Sequence, residues 1–157
     1  NRPVVDELGD VWPATLELTV VNTYFLHARM LDNWGFGKLG KAFYDFSIEE
    51  MKDADSLINR ILLFEGHPNL QRLNNIRTGE DAEEMLRLAL EGEIAAVRQF
   101  TASAAECRGL GDLATASVLE EMARDEEEHV DWFESQLDAV ERVGIQQYLA
   151  RQMHAGS

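Results

Sequence analysis

The sequence predicts an all-α fold: a four-helix bundle with one long crossover connection and a short fifth helix after it. Three observations predict it. Apolar residues recur every three or four positions along four long stretches, the spacing that lines one face of a helix. Each stripe is interrupted by ionisable residues: Glu17, then Glu50 with Asp53, then Glu93, then Glu126 with His129. The interruptions also keep step with one another, since Glu17 to Glu50 and Glu93 to Glu126 are both 33 residues, and adding 76 to positions 17, 50 and 53 gives 93, 126 and 129. If each pair of helices forms an antiparallel hairpin, the midpoints fall in Asp32-Asn33-Trp34-Gly35-Phe36-Gly37 and in Arg108-Gly109-Leu110-Gly111-Asp112, both rich in turn formers. All the interrupting residues then lie at one height in the bundle.

The elements follow in order. Pro13 fits the first turn of a helix and Asp10 its cap, so the first helix begins near there and runs to about Asn33, with Val20, Tyr24, Ala28 and Leu31 on its apolar face. The second is expected from about Lys41 to Glu65, with room for a break at Gly40, and shows Phe43, Phe46, Leu57, Ile61 and Phe64. Residues 66–78 read as a long irregular connection, which lets the second and third helices lie parallel. The third is expected from about Gly79 to Arg108 (Leu86, Leu90, Val97, Phe100, Ala104). The fourth runs from about Leu110 to Val143 (Leu119, Met122, Phe133, Leu137, Val140) and stops at Gly144. Ile145–Gln152 forms the short fifth helix, expected to pack against its own or another subunit.

With 157 residues the chain reads as a single domain over 1–157, large enough to bury a core without staples. The lone Cys107 excludes an internal disulfide and reads as a small residue near a helix end. His67, beside Gly66 and Pro68, reads as a surface loop residue. The first residues contain no apolar leader and no stretch approaches membrane-spanning length, so the expectation is a soluble cytoplasmic protein with no membrane partner. A net charge of −15 with no basic run excludes nucleic acid as a partner. That acidity serves solubility, or draws cations to the surface.

One Glu from each of two helices plus Glu-x-x-His from the others is the donor set of a dinuclear carboxylate centre. Carboxylate and imidazole suit iron or manganese. Glu17, Glu50, Glu93 and Glu126 bring four negative charges, which two divalent cations neutralise; without metal, buried carboxylates must protonate or disrupt the core. Asp53 is the departure, standing where the internal repeat asks for a counterpart of His129. It leaves three outcomes open: a working altered site, a site holding one metal, or an inactive remnant. His27 reads as a hydrogen-bonded structural histidine, and Tyr24 either faces the metals or packs in the core. Met51 points about a quarter-turn away from the metal face. It either packs or, where an isologous dimer brings two copies of this helix together, gives one of two thioethers to a haem iron.

Asn22–Met30, Ser47–Lys52, Ile61–Leu73 and Asp125–Trp132 give the chain, over nearly its whole length, a resemblance to bacterioferritin, a ferritin-like family. The resemblance implies a shell of twenty-four subunits built from two-fold dimers around an iron mineral, with a ferroxidase centre in each bundle. It matches Glu17, Glu50, Glu93, Glu126 and His129 to the ferroxidase ligands. It also implies haem b held by Met51 from two subunits, with Leu18, Asn22, Phe25 and Ile48 lining the pocket, and a redox partner for iron release. Family members usually carry histidine at Asp53. Some relatives have His and Glu, serving an additional iron site, where this chain has Asp45 and Phe46; Phe46 cannot ligate, so that site is not expected. Two roles follow: an iron-storing ferroxidase, or a ferroxidase-impaired haem-binding subunit assembled with a second bacterioferritin subunit type. A rubrerythrin-like oxidase outside storage is a third, opposed by Met51 and the fifth helix.

Overall fold

The structure, a computed structural model, describes residues 12–63 and 77–153 and, of these, the side chains of all but 12–17 and 61. Five helices follow one another: α1 (Trp12–Asn33), α2 (Gly37–Leu63), α3 (Ala82–Gly109), α4 (Leu113–Val143) and α5 (Ile145–Ala150). The fold is the all-helical bundle that the stripes predict, four main helices with a short fifth.

Both expected turns fall at the hairpin midpoints. Gly35 takes φ +90° and Gly111 φ +83°, values that suit glycine. The α3–α4 turn closes when Asp112 N–H donates to Cys107 O at 2.8 Å, and Asp112 then caps α4 by accepting from Thr115 N–H at 3.1 Å. Asp81 caps α3 through Glu84 N–H at 2.8 Å, which is why that helix begins three residues later than the stripe suggested. At the start of α2 the expectation is corrected: the helix begins at Gly37 and passes through Gly40 without a break. A Cβ at Gly40 would stand 2.3 Å from Asp32 Oδ1 and 3.0 Å from Ala28 O, so this glycine serves close approach of α1 to α2 rather than a kink.

The direction of the second hairpin is set by contacts at the two ends of the bundle. At one end, Gly79 N–H donates to His27 Nε2 at 3.0 Å, tying the approach to α3 to the upper part of α1. At the other, Arg60 near the end of α2 donates to Thr115 Oγ1 at 2.8 Å and pairs with Asp112 at 3.6 Å, beside the α3–α4 turn. Helices α2 and α3 therefore run parallel; residues 64–76 of the connection between them, His67 included, lie outside the described residues. α5 folds back on its own bundle, with Tyr148 buried, its hydroxyl donating to Gln136 Oε1 at 2.7 Å, and Lys38 N–H bonded to Gln152 O. No helix among the described residues is long and apolar enough to cross a membrane.

The core has two apolar parts. One gathers Leu57, Ala96, Phe100, Ala104, Cys107, Leu119 and Met122 towards the α3–α4 turn. The other gathers Tyr24, Leu31, Leu39, Phe43, Met85, Leu86, Phe133 and Val140 towards the α1–α2 turn. Between them lies a polar layer.

Candidate metal centre

That layer is made of Glu50 from α2, Glu93 from α3, and Glu126 with His129 from α4, at 0, 1, 1 and 7 % exposure. One ligand atom from each can be chosen so that all four lie within 4.8 Å of one another. His129 Nδ1 sits 3.3 Å from Glu50 Oε1, 3.5 Å from Glu93 Oε1 and 3.5 Å from Glu126 Oε2. Glu93 Oε2, Glu126 Oε1 and His129 Nδ1 have no hydrogen-bond partner among the described residues. Orphaned buried polar atoms are costly, and carboxylates facing one another more so. Carboxylate oxygens with lone pairs to spare, turned into one space with an imidazole, are the chemistry that hard and borderline cations such as iron or manganese accept.

The electrostatics of the metal-free protein agree. Burial by itself pushes the His129 pKa down, but the facing Glu126 and Glu50 carboxylates outweigh it and raise the value to about 11. His129 is therefore an imidazolium that partly offsets the carboxylates until a cation displaces its proton. Its other nitrogen is fixed from outside: Nε2 lies 2.6 Å from Glu49 Oε2. An ionised carboxylate can only accept, so Nε2 keeps the proton and Nδ1 is the nitrogen left for a cation. The ring is wedged by Phe46 at 4.6 Å between centroids, edge to face, and Phe46 packs in turn on Trp132 and Phe133, each at 5.1 Å.

Of the six predicted ligands, the structure brings four together. Glu17 lies on α1, but its side chain falls outside the described residues. Asp53 is half-buried and stands outside the group of four. It lines an acidic cavity of about 320 Å³ with Glu49, Lys52, Asp125, Glu128 and His129. Burial raises its pKa from the ordinary carboxylate value to about 7; Glu126, Asp125 and Glu49 push the same way and His129 opposes.

Tyr24, left open by the sequence, faces the centre: its hydroxyl donates to Glu93 Oε1. His27 is the structural histidine expected, fully buried and held by Gly79, with burial lowering its pKa to about 4 against a smaller opposite pull from Glu84. Sequence reasoning missed Glu49, which lies 80 residues from His129. Its signal was indirect, since a ligating histidine needs an acceptor for its second nitrogen.

Outside the bundle, Leu18, Asn22, Phe25 and Arg29 follow one stripe of α1, and Tyr44, Ile48 and Met51 one stripe of α2. Phe25 (47 %) and Met51 (51 %) are exposed, and Leu18 and Ile48 half-buried. The Phe25 and Tyr44 rings stand 6.4 Å apart and the Arg29 guanidinium covers both.

Fold and polar layer together define a ferritin-like helical bundle with a buried carboxylate–histidine centre. The model of the ferritin-like domain family matches residues 14–143. The chain is 42 % identical to the bacterioferritin of Brucella melitensis over 145 residues, 92 % of this chain and 89 % of that protein. It is 41 % identical to the bacterioferritin of Rhodobacter capsulatus over 130 residues (83 % and 81 %) and 40 % identical to that of Streptomyces coelicolor over 136 (87 % and 81 %). The chain belongs to the bacterioferritins.

Proposed function

We propose that the chain stores iron by oxidising it: two ferrous ions bind among Glu17, Glu50, Asp53, Glu93, Glu126 and His129 and leave as ferric ions for a mineral. Each ferrous ion gives up one electron; dioxygen takes both with two protons and departs as hydrogen peroxide, or peroxide takes them with two protons and departs as water. The observation that carries this is the convergence of Glu50, Glu93, Glu126 and His129, with orphaned oxygens and an imidazole whose Nε2 is already held by Glu49. The protein binds and orients the ions, and the aromatic wall of Phe46, Trp132 and Phe133 keeps water from that side of His129. Stopped-flow oxidation by the purified assembly tests it: a fast phase that saturates near about two ferrous ions per subunit supports the proposal, and only slow, unsaturable oxidation contradicts it.

Family membership supports self-assembly, here proposed as a shell of twenty-four subunits built from two-fold dimers. The exposed stripe suits haem at that two-fold: Met51 offers a soft thioether to solvent one helical turn from Ile48, and a second copy would supply the other. Leu18, Asn22, Phe25 and Ile48 would hold the macrocycle. Bound there, haem would supply one-electron transfer, for iron release to a redox partner. Met51→Leu should abolish haem absorbance while assembly persists; unchanged absorbance would defeat the assignment.

The position of Asp53 outside the group of four favours one alternative, a ferroxidase-impaired haem-binding subunit that assembles with a second subunit type. Absence of the fast phase in the homopolymer, restored on co-assembly, would establish it.

A further inference from the structure

The proposed centre lies between two openings of opposite character. One is the acidic cavity between α2 and α4, where Glu49, Asp53, Asp125 and Glu128 outnumber the single Lys52. The other is a cleft of about 250 Å³ between α1 and α3, walled by Val20, Thr23, Ala89, Gly92 and Ala95. Tyr24, 3 % exposed, also lines this cleft, and its hydroxyl donates to Glu93, so the inner end of the cleft is one hydrogen bond from the centre. Arg77 and Glu91, paired at 3.0 Å and well exposed, belong to its solvent end.

Gly92 is the telling residue of the wall. It sits in the middle of α3, where glycine costs roughly 0.5–1 kcal/mol relative to alanine. Its φ is not positive, and a Cβ built there meets nothing within 4 Å among the described residues. Neither backbone conformation nor packing among the described residues requires glycine. Its consequence is space, directly beside Glu93.

We propose that this cleft binds dioxygen and admits it to the centre. The inference rests on the ferroxidase reading above. An apolar recess of this size accepts a small uncharged gas without loss of hydrogen bonds, whereas a hydrated cation would have to shed water against groups that return nothing. Hydrogen peroxide hydrogen-bonds as water does and gains nothing from the cleft.

Crystals of the assembled protein under xenon pressure, paired with oxidation kinetics, test this, xenon being an electron-rich apolar probe of such recesses. Xenon should occupy the cleft and be lost in Gly92→Leu. The same variant should slow dioxygen-driven iron oxidation severalfold and leave peroxide-driven oxidation and anaerobic Co²⁺ binding unchanged. Ala95→Leu narrows the same wall and serves if Gly92→Leu does not assemble. Absence of xenon from the wild-type cleft, or equal slowing with both oxidants, would overturn the proposal. Should the wild-type protein oxidise iron with neither oxidant, the ferroxidase reading fails on its own, and xenon alone then decides whether the cleft is a gas site.

Discussion

The two hairpins carry one plan and execute it differently. In the α3–α4 half, Glu93, Glu126 and His129 are all buried, and each is held by a neighbour or turned inward: Tyr24 on Glu93, Glu49 and Phe46 on His129. In the α1–α2 half, Glu50 is equally buried, but Asp53 stands half-exposed in an acidic cavity. Aspartate is shorter than histidine, and burial with the neighbouring Glu126 and Asp125 carboxylates resists its ionisation, so it brings neither the reach nor the basic nitrogen of an imidazole. The comparison teaches that equal spacing delivers a side chain to the right height and face, while length and charge decide whether it joins the group.

The largest effect should come from removing a carboxylate of the well-made half. Glu93→Gln keeps an acceptor for Tyr24 but removes a charge. It should weaken divalent-metal binding by more than the roughly 10–100-fold that loss of a supporting partner costs, and should raise the melting temperature of the metal-free protein by relieving buried like charges. Calorimetric titration and thermal melts read both, and unchanged affinity would separate Glu93 from the centre. Next, Glu49→Ala removes the acceptor for His129 Nε2 and should cost roughly 10–100-fold in affinity with the helices intact. An unaltered isotherm would make Glu49 a surface bystander.

Asp53→His brings the first half to the pattern of the second. Metal at the weaker position should bind about tenfold tighter, about 1.4 kcal/mol, and fast oxidation should accelerate. No change in either would mean that Asp53 is not a ligand.

The last effect concerns stability, not metal binding, and a residue outside both ligand sets. His27 titrates near 4 when folded against 6.5 for an ordinary histidine. Its neutral form is bound by the fold, so the stability it contributes is complete above pH 6.5 and is lost as pH falls towards 4, up to about 3 kcal/mol. His27→Gln should flatten the fall of melting temperature over that window; an identical slope would show that other groups carry it.

Much of this was legible in the sequence, because helical periodicity projects directly into space. The 33-residue spacing located both turns, and the interrupted stripes located Glu50, Glu93, Glu126 and His129, which the structure buries together. What depends on contact across helices was not legible. The tight approach at Gly40 looked like a break, since one strand of sequence cannot show that Asp32 and Ala28 press against it. The support of His129 by Glu49 and of Glu93 by Tyr24 spans 80 and 69 residues, with no pattern linking the partners. Asp53 could be placed on its helix face but not in its cavity.

Diffraction from crystals soaked anaerobically with ferrous ion, recorded across the iron absorption edge, tests the central claim most directly. The account predicts a strong anomalous peak bounded by Glu93, Glu126 and His129, with a weaker one towards Asp53. Iron found only on the surface, with the space among Glu50, Glu93, Glu126 and His129 empty, would contradict it.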